Sequence, residues 1–304
     1  MDWKSQRIDA LLEQALIEDQ AAGDATTNLT IDPELQATAS ILAREPLVVA
    51  GLGAVPRFLE IFARLDRRPQ AQTRFEVVSH PEIFDGVRAK AGQVLAVIRH
   101  NARVLLSSER VILNLLQHLS GIATLTRQYC DAIQGTKARV LDTRKTVPGL
   151  RALEKYAVLC GGGTNHRLDL ASGILIKNNH ISLGGGVRCV VTSALAARPG
   201  GLRVQVEVRS REELEEALAS GAESVLLDNM TPGEVRWCVE RIRGVRPPAG
   251  AEKARQIPIE ASGGIVLENI RAYAEAGVDF ISSGALTHSA PAADISMRIV
   301  ADRI

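Results

Sequence analysis

Apolar side chains at Ile8, Leu11, Leu12, Ala15 and Leu16 recur at i, i+3, i+4, i+7 and i+8, a spacing that predicts an amphipathic helix over residues 6–19. The turn Ala22-Gly23-Asp24 ends it. From Thr38 to about Arg99 the pattern changes to short β-rich runs, Ala39–Leu42, Leu47–Ala50, Thr73–Val78 and Val94–Arg99, with a helix over Ala54–Leu65. This predicts a separate α+β unit. A second amphipathic helix is expected from about Ser107 to Leu119, with an apolar stripe of Val111, Ile112, Leu115, Leu116 and Leu119 and with Gly121 as its stop. Arg110, Asn114 and Gln117 share its opposite face.

Beyond Val140 the rhythm becomes strand, loop, helix. Short apolar runs fall at Val140–Asp142, Ile174–Lys177, Val204–Val208, Val225–Asp228, Ile257–Ala261 and Phe280–Ser283, with helical segments such as Ser210–Ser220 and Leu267–Ala276 between them. Alternation of this kind predicts parallel strands joined by crossover helices, and six of them suit a complete or incomplete (β/α) barrel. The stretch Gly244–Gln256 reads as a long loop.

Composition narrows the function classes. Lys plus Arg number 36 against 35 Asp plus Glu, a formal charge of +1, so neither a nucleic-acid nor an anionic-membrane surface is expected as the main partner. Cationic chemistry must therefore be local. Only seven of the basic residues are Lys, and Lys137, Lys145, Lys155 and Lys177 cluster together. Cys130, Cys160, Cys189 and Cys238 lie far apart without C-x-x-C spacing, which reads as four reduced thiols. No signal peptide is read at Met1-Asp2-Trp3-Lys4, and no apolar run approaches the roughly 20 residues a membrane span needs. The expected location is the cytoplasm.

In a parallel barrel the chemistry sits where strands end, so the residues closing each run are the first candidates. Here Val140-Leu141 leads to Asp142-Thr143-Arg144-Lys145, Ile176 to Lys177, Val206 to Glu207 and Leu227 to Asp228, while the last two strands close in Ser262-Gly263-Gly264 and Ser283-Gly284-Ala285. Small-residue turns after strands can offer backbone N–H groups to a phosphate, and the first of these turns is expected to open onto a helix. A tight turn without ligand would carry the same residues. Glu207 and Asp228, on consecutive strands, suit one Mg²⁺ that also binds a diphosphate; N-capping is the competing role. Between Asp142 and Lys177 six basic residues face three acids. Arg144, Lys145, Arg167 and Lys177, with His166, form a cationic group fit for adjacent carboxylates. Arg151, Glu154 and Lys155 read as solvated helix residues, and Gly161-Gly162-Gly163 as a backbone bend that can approach a ligand.

Taken together, Leu141-Asp142-Thr143-Arg144-Lys145-Thr146-Val147-Pro148-Gly149-Leu150, Gly161-Gly162-Gly163-Thr164-Asn165-His166-Arg167 and Leu175-Ile176-Lys177-Asn178-Asn179-His180 resemble the quinolinate phosphoribosyltransferase family. Gly23-Asp24-Ala25-Thr26-Thr27, Glu109-Arg110, Leu226-Leu227-Asp228-Asn229-Met230, Glu260-Ala261-Ser262-Gly263-Gly264-Ile265 and Gly284-Ala285-Leu286-Thr287-His288-Ser289 extend the resemblance over nearly the whole chain. It implies an incomplete (β/α) barrel over residues 113–289 and an N-terminal α+β sandwich domain over 1–112, joined by a C-terminal helix over 290–304. It also implies a homodimer, quinolinate and 5-phosphoribosyl-1-diphosphate as substrates, Mg²⁺ as cofactor, and nicotinate mononucleotide, diphosphate and CO₂ as products.

By the same resemblance Arg144, His166, Arg167 and Lys177 surround the two carboxylates, Lys145 lies near the diphosphate or ribose, and Thr143 is counted among the substrate-binding residues. Glu207 and Asp228 take ribose hydroxyls and the metal, and the two small-residue turns, Ser262, Gly263, Gly264 and Ser283, Gly284, Ala285, take the 5-phosphate. Arg110 reaches a site of the neighbouring subunit. Asn178 departs from the family's usual Asp, keeping a carbonyl acceptor but losing the charge, so it is not counted as a metal ligand. A molybdate-operon-linked paralogue of the same fold and a Schiff-base aldolase using Lys177 are the alternative enzymes. A non-catalytic anion binder is a further alternative.

Overall fold

The structure, a computed structural model, describes residues 1–66, 74–244 and 256–302. The chain divides into two units. One comprises Met1–Arg127, Pro148–Gly162 and Ala290–Ile304, and the other Gln128–Val147 and Gly163–Ser289. Thr73 of the expected run Thr73–Val78, and most of the expected loop Gly244–Gln256, lie outside the described residues.

In the first unit the expected amphipathic helix forms over Gln6–Glu18 and buries Ile8, Leu12 and Leu16. A helix over Ala54–Leu65 buries Phe58, Leu59, Ile61 and Phe62. Strands β1 (Gln36–Ala43), β2 (Leu47–Val48), β3 (Glu76–Val78), β4 (Arg88–Ala89) and β5 (Val94–Asn101) follow in order, with β1 and β3 both antiparallel to β5. Alternate residues of β1, Ala37, Ala39, Ile41 and Ala43, are buried, as period-2 patterning requires.

Two sequence expectations fail here for packing reasons. The helix expected to stop at Gly121 runs unbroken over Ala102–Ala132. A Cβ on Gly121 would lie 2.0 Å from the Pro291 carbonyl oxygen, so this glycine lets a backbone approach the helix and does not cap it. The helix Arg151–Cys160 is not solvated along its polar run either: Glu154 is fully buried and Lys155 is 2 % exposed. Glu154 Oε1 lies 2.9 Å from His118 Nε2, an ion-pair geometry in the interior of this unit. Tyr156 Oη donates to Asp85 Oδ2 at 2.6 Å, and burial, reinforced by Asp85, raises the pKa of the phenol. Burial also pushes the neighbouring Cys160 thiol up to about 11. None of the four cysteines forms a disulfide.

The second unit holds β6 (Arg139–Leu141), β7 (Ile174–Ile176), β8 (Val204–Val208), β9 (Ser224–Asp228), β10 (Ile259–Ser262) and β11 (Phe280–Ser282), the six runs predicted, all parallel. Their order is β6-β11-β10-β9-β8-β7. The last strand thus pairs with the first, and consecutive strands from β7 onward are neighbours, which is the connectivity of a barrel open along one seam between β6 and β7. The chain leaves this unit between those two strands to form the helix Arg151–Cys160, and on its return Thr164 makes an isolated parallel bridge with Leu141.

The expected C-terminal helix is a strand, β12 (Ile295–Ala301), antiparallel to β1 over seven residue pairs. Ile295 is buried, and the alternation of Ile295, Met297 and Ile299 with Ser296 and Arg298 is the period of a strand. Among the described residues, no helix is long and apolar enough to cross a membrane.

Candidate active site

A cavity of about 470 Å³ opens where the six strands of the second unit end. Its walls include Thr143, Arg144, Lys145, His166, Arg167, Lys177, Glu207, Asp228, Ser262, Gly263, Gly264, Ser283, Gly284 and Ala285, every candidate named above except Arg110. Arg110 is exposed on the long helix of the first unit.

Sheet order sorts these side chains. Around the mouth, β8 and β9 contribute the acids Glu207 and Asp228, β10 and β11 the two small-residue turns, and the segments after β6 and β7 the basic residues. Because β6 and β7 flank the seam, their cations line the cavity from its two sides, and the returning loop adds His166 and Arg167 to the lining. The rim therefore has a cationic arc, a carboxylate arc and an arc of small turns.

Asp142 organises the seam. It is fully buried, its Oδ1 accepts the His166 N–H at 2.8 Å, and its own N–H donates to the Thr164 carbonyl at 3.3 Å. Arg167 Nη1 donates to the Gly173 carbonyl at 2.8 Å, which aims the guanidinium. Burial, followed by the neighbouring Arg144 charge, lowers the Arg167 pKa, the mark of like charges held together for an anion. His166 Nδ1 accepts the Arg167 backbone N–H at 2.7 Å, which leaves Nε2 to carry the proton, 3.4 Å from Glu260 Oε2.

Glu260 was not singled out as a site residue from sequence. It sits inside β10, only 3 % exposed, and Gln205 Nε2 donates to its Oε2 at 2.8 Å. Burial pushes its carboxyl upward, but hydrogen bonding and charge from His166, with the Ser282 hydroxyl and the Gln205 amide close to the carboxylate, outweigh that and leave it below the ordinary value. A depressed folded-state pKa contributes stability above the unfolded carboxylate range, and this is lost as pH falls through the folded value. Glu260→Gln is thus expected to cost about 1 kcal/mol near neutral pH. The deficit should shrink toward zero in acid, as thermal melts at the two pH values would show. A deficit independent of pH would contradict the ionised assignment.

The small turns are built differently from expectation. Ser262-Gly263-Gly264 does not open onto a helix, since the next one begins at Ile270; Ser283-Gly284 instead leads straight into the single turn Ala285–His288. Gly263 and Gly264 have φ of +90° and +62°, and the Asn229 N–H donates to the Ser262 carbonyl at 2.9 Å. The turns are tied together by Ser282 Oγ donating to Ser262 Oγ at 2.9 Å and Ser283 Oγ donating to the Ile265 carbonyl at 2.9 Å. Among the described residues, the N–H groups of Gly263, Gly264, Gly284 and Ala285 donate to no protein acceptor, so they remain available to an anion. The glycine run behaves otherwise: a Cβ on Gly161 would meet the Ala123 carbonyl and Thr126 at 2.5 Å, so its smallness serves helix packing in the first unit.

A parallel barrel with cations, carboxylates and open backbone amides around one mouth defines a class of enzyme that handles phosphorylated, anionic substrates. Comparison makes the class specific. Residues 122–298 match the quinolinate phosphoribosyl transferase C-terminal domain, and residues 24–120 the N-terminal domain. The chain is 42% identical over 287 residues to the nicotinate-nucleotide pyrophosphorylase [carboxylating] of Mycobacterium leprae (strain TN), covering 94% of this chain and 95% of that protein. It is 37% identical to the crystal structure of NadC from Streptococcus pyogenes, with TM-score 0.86 and 100% of both chains covered. The structure of the nicotinate-nucleotide pyrophosphorylase from Francisella tularensis follows at 35% identity and TM-score 0.84, with 97% of this chain and 96% of that one covered. This chain belongs to the quinolinate phosphoribosyltransferase family.

Proposed function

We propose that this chain transfers the phosphoribosyl group of 5-phosphoribosyl-1-diphosphate to quinolinate with loss of CO₂, giving nicotinate mononucleotide and diphosphate for NAD biosynthesis. The observation that carries the reading is the division of the cavity rim into three arcs. Adjacent carboxylates suit Arg144, Arg167 and Lys177, ribose hydroxyls suit Glu207 and Asp228, and a 5-phosphate suits the amides of the two turns.

In this reading the pyridine nitrogen attacks ribose C1, the N–C1 bond forms as the C1–O bond to diphosphate breaks, and Lys145 offsets charge on the leaving group. No protein nucleophile is required. The alkylated ring nitrogen is then cationic, so the electron pair left at C2 when the 2-carboxylate departs as CO₂ is stabilised, and a proton from water completes the product. His166 and the seam loop keep that carboxylate oriented and out of bulk solvent. Magnesium, expected from the resemblance, enters none of these steps. The acids that would hold it do not form a free metal site as they stand, because Arg209 bridges them.

The purified chain given quinolinate, phosphoribosyl diphosphate and Mg²⁺ should release CO₂ and form nicotinate mononucleotide, and should leave nicotinate unchanged. Turnover of nicotinate without quinolinate would overturn the substrate. Within the same reading the enzyme is a homodimer, and Arg110 completes the site of a second copy. Arg110→Ala and Arg167→Ala chains, each inactive alone, should then recover activity on mixing, because one hybrid site holds both arginines. Failure of exchanged subunits to complement would place Arg110 within its own chain's site. Four cysteines without disulfides suit a reducing compartment, and the cytoplasm is where we place the reaction.

A further inference from the structure

Strand geometry puts Arg209 over the two acids of the rim. Side chains alternate along β8, so Glu207 and Arg209 point to the same face. The β8–β9 register pairs Glu207 with Leu226 and Val208 with Leu227, and one further step sets Arg209 across from Asp228. The guanidinium closes the pair: Nε donates to Asp228 Oδ2 at 3.0 Å and Nη2 to Glu207 Oε1 at 3.4 Å. Beneath it the backbone is fixed, since the Arg209 N–H donates to Glu213 Oε2 at 2.7 Å and Ser210 caps the next helix. The Glu207 and Asp228 side chains are 9% and 14% exposed while that of Arg209 is 48% exposed, so the anions are walled in and their counter-ion lies on the open side.

So exposed an arginine adds little to folding stability. Its effect falls on what the acids can bind. Two bare carboxylates would draw a divalent cation, whereas with a guanidinium between them the group carries one net negative charge and a cation must displace Arg209 to reach it. A sugar diol brings two O–H donors and no charge. It can use lone pairs that the guanidinium leaves open on both carboxylates.

We propose that Arg209 is a built-in counter-ion that reserves Glu207 and Asp228 for the ribose hydroxyls of the phosphoribosyl donor and denies them to a free divalent cation. The proposal rests on the phosphoribosyltransferase reading of this cavity. A divalent ion that accompanies the diphosphate needs no vacancy at this pair.

The test is a Mn²⁺ titration of the intact, substrate-free protein, following free Mn²⁺ by electron paramagnetic resonance, beside calorimetry with ribose 5-phosphate. Arg209→Ala should bind Mn²⁺ at least about tenfold more tightly than the parent chain. The gain should be absent in Arg209→Lys and should vanish in the double variant Arg209→Ala/Asp228→Asn. Equal Mn²⁺ affinity in the parent and Arg209→Ala, or binding by neither, overturns the counter-ion role. Ribose 5-phosphate reports separately on the underlying reading: Asp228→Asn should weaken it in either background. Unchanged sugar-phosphate binding there would remove the acids from the ribose site, whatever the Mn²⁺ result.

Discussion

Arg167→Ala should lower quinolinate affinity by about a hundredfold or more, ~3 kcal/mol, and leave phosphoribosyl diphosphate binding nearly unchanged. The asymmetry follows from the rim. Arg167 stands in the cationic arc at the seam, and its Nη1 is already committed to the Gly173 carbonyl, so its remaining donors are fixed in direction before a ligand arrives. Arriving carboxylates also relieve the repulsion between Arg144 and Arg167 that helps lower the Arg167 pKa. Lysine should not restore binding, because a point charge lacks the planar pair of donors. Calorimetry with each substrate separately measures both halves, and normal quinolinate affinity in the alanine variant would take Arg167 out of the pocket.

Gly263→Ala should act on the other substrate and on the fold together. A Cβ there would lie 2.4 Å from Asn229 Oδ1 and 2.8 Å from the Asn229 backbone nitrogen, in a backbone with φ of +90°. Asn229 itself has φ of +55°, so neither partner can yield without leaving its own turn. Strain at such a position is on the order of 1–3 kcal/mol, and the displaced amides should raise the KM for phosphoribosyl diphosphate about tenfold or more. Gly264→Ala is the control, because nothing lies within 4 Å of its added Cβ and it bears only the cost of a φ of +62°. Melting curves and initial rates on the two variants separate strain from collision; equal effects would mean that contact with Asn229 plays no part.

The rim was legible in sequence because a parallel barrel exposes its strand ends, so polar residues closing apolar runs mark the mouth whatever the loops do. Glu260 escaped because it lies within β10, where a side chain turned into the barrel and one turned outward look alike; its signal was a carboxylate between the apolar Ile259 and Ala261. Arg209 stands just past the end of β8 and reads as the start of a charged helix, and only the register with β9 sets it against Asp228. Gly121 and Gly161 were misread for one reason. A glycine needed for close packing has the same letter as one needed for a cap or a ligand, and the partner that decides between them is distant in sequence. The two-residue alternation of β12 was visible in the sequence, and the helix expected there came from the resemblance and not from that alternation.

That final strand has a consequence for how the molecule is made. β1 leaves the ribosome before the barrel unit, and the strand that covers one of its two edges leaves after it. At about 5–20 residues per second, the whole barrel unit is synthesised in the interval, on the order of tens of seconds. During that time one edge of the first sheet stands uncovered, a template for pairing with another nascent chain. The exposed Arg298, midway along β12 and opposite Ser40, comes too late to guard it. The first unit, begun before the barrel, is finished only after it.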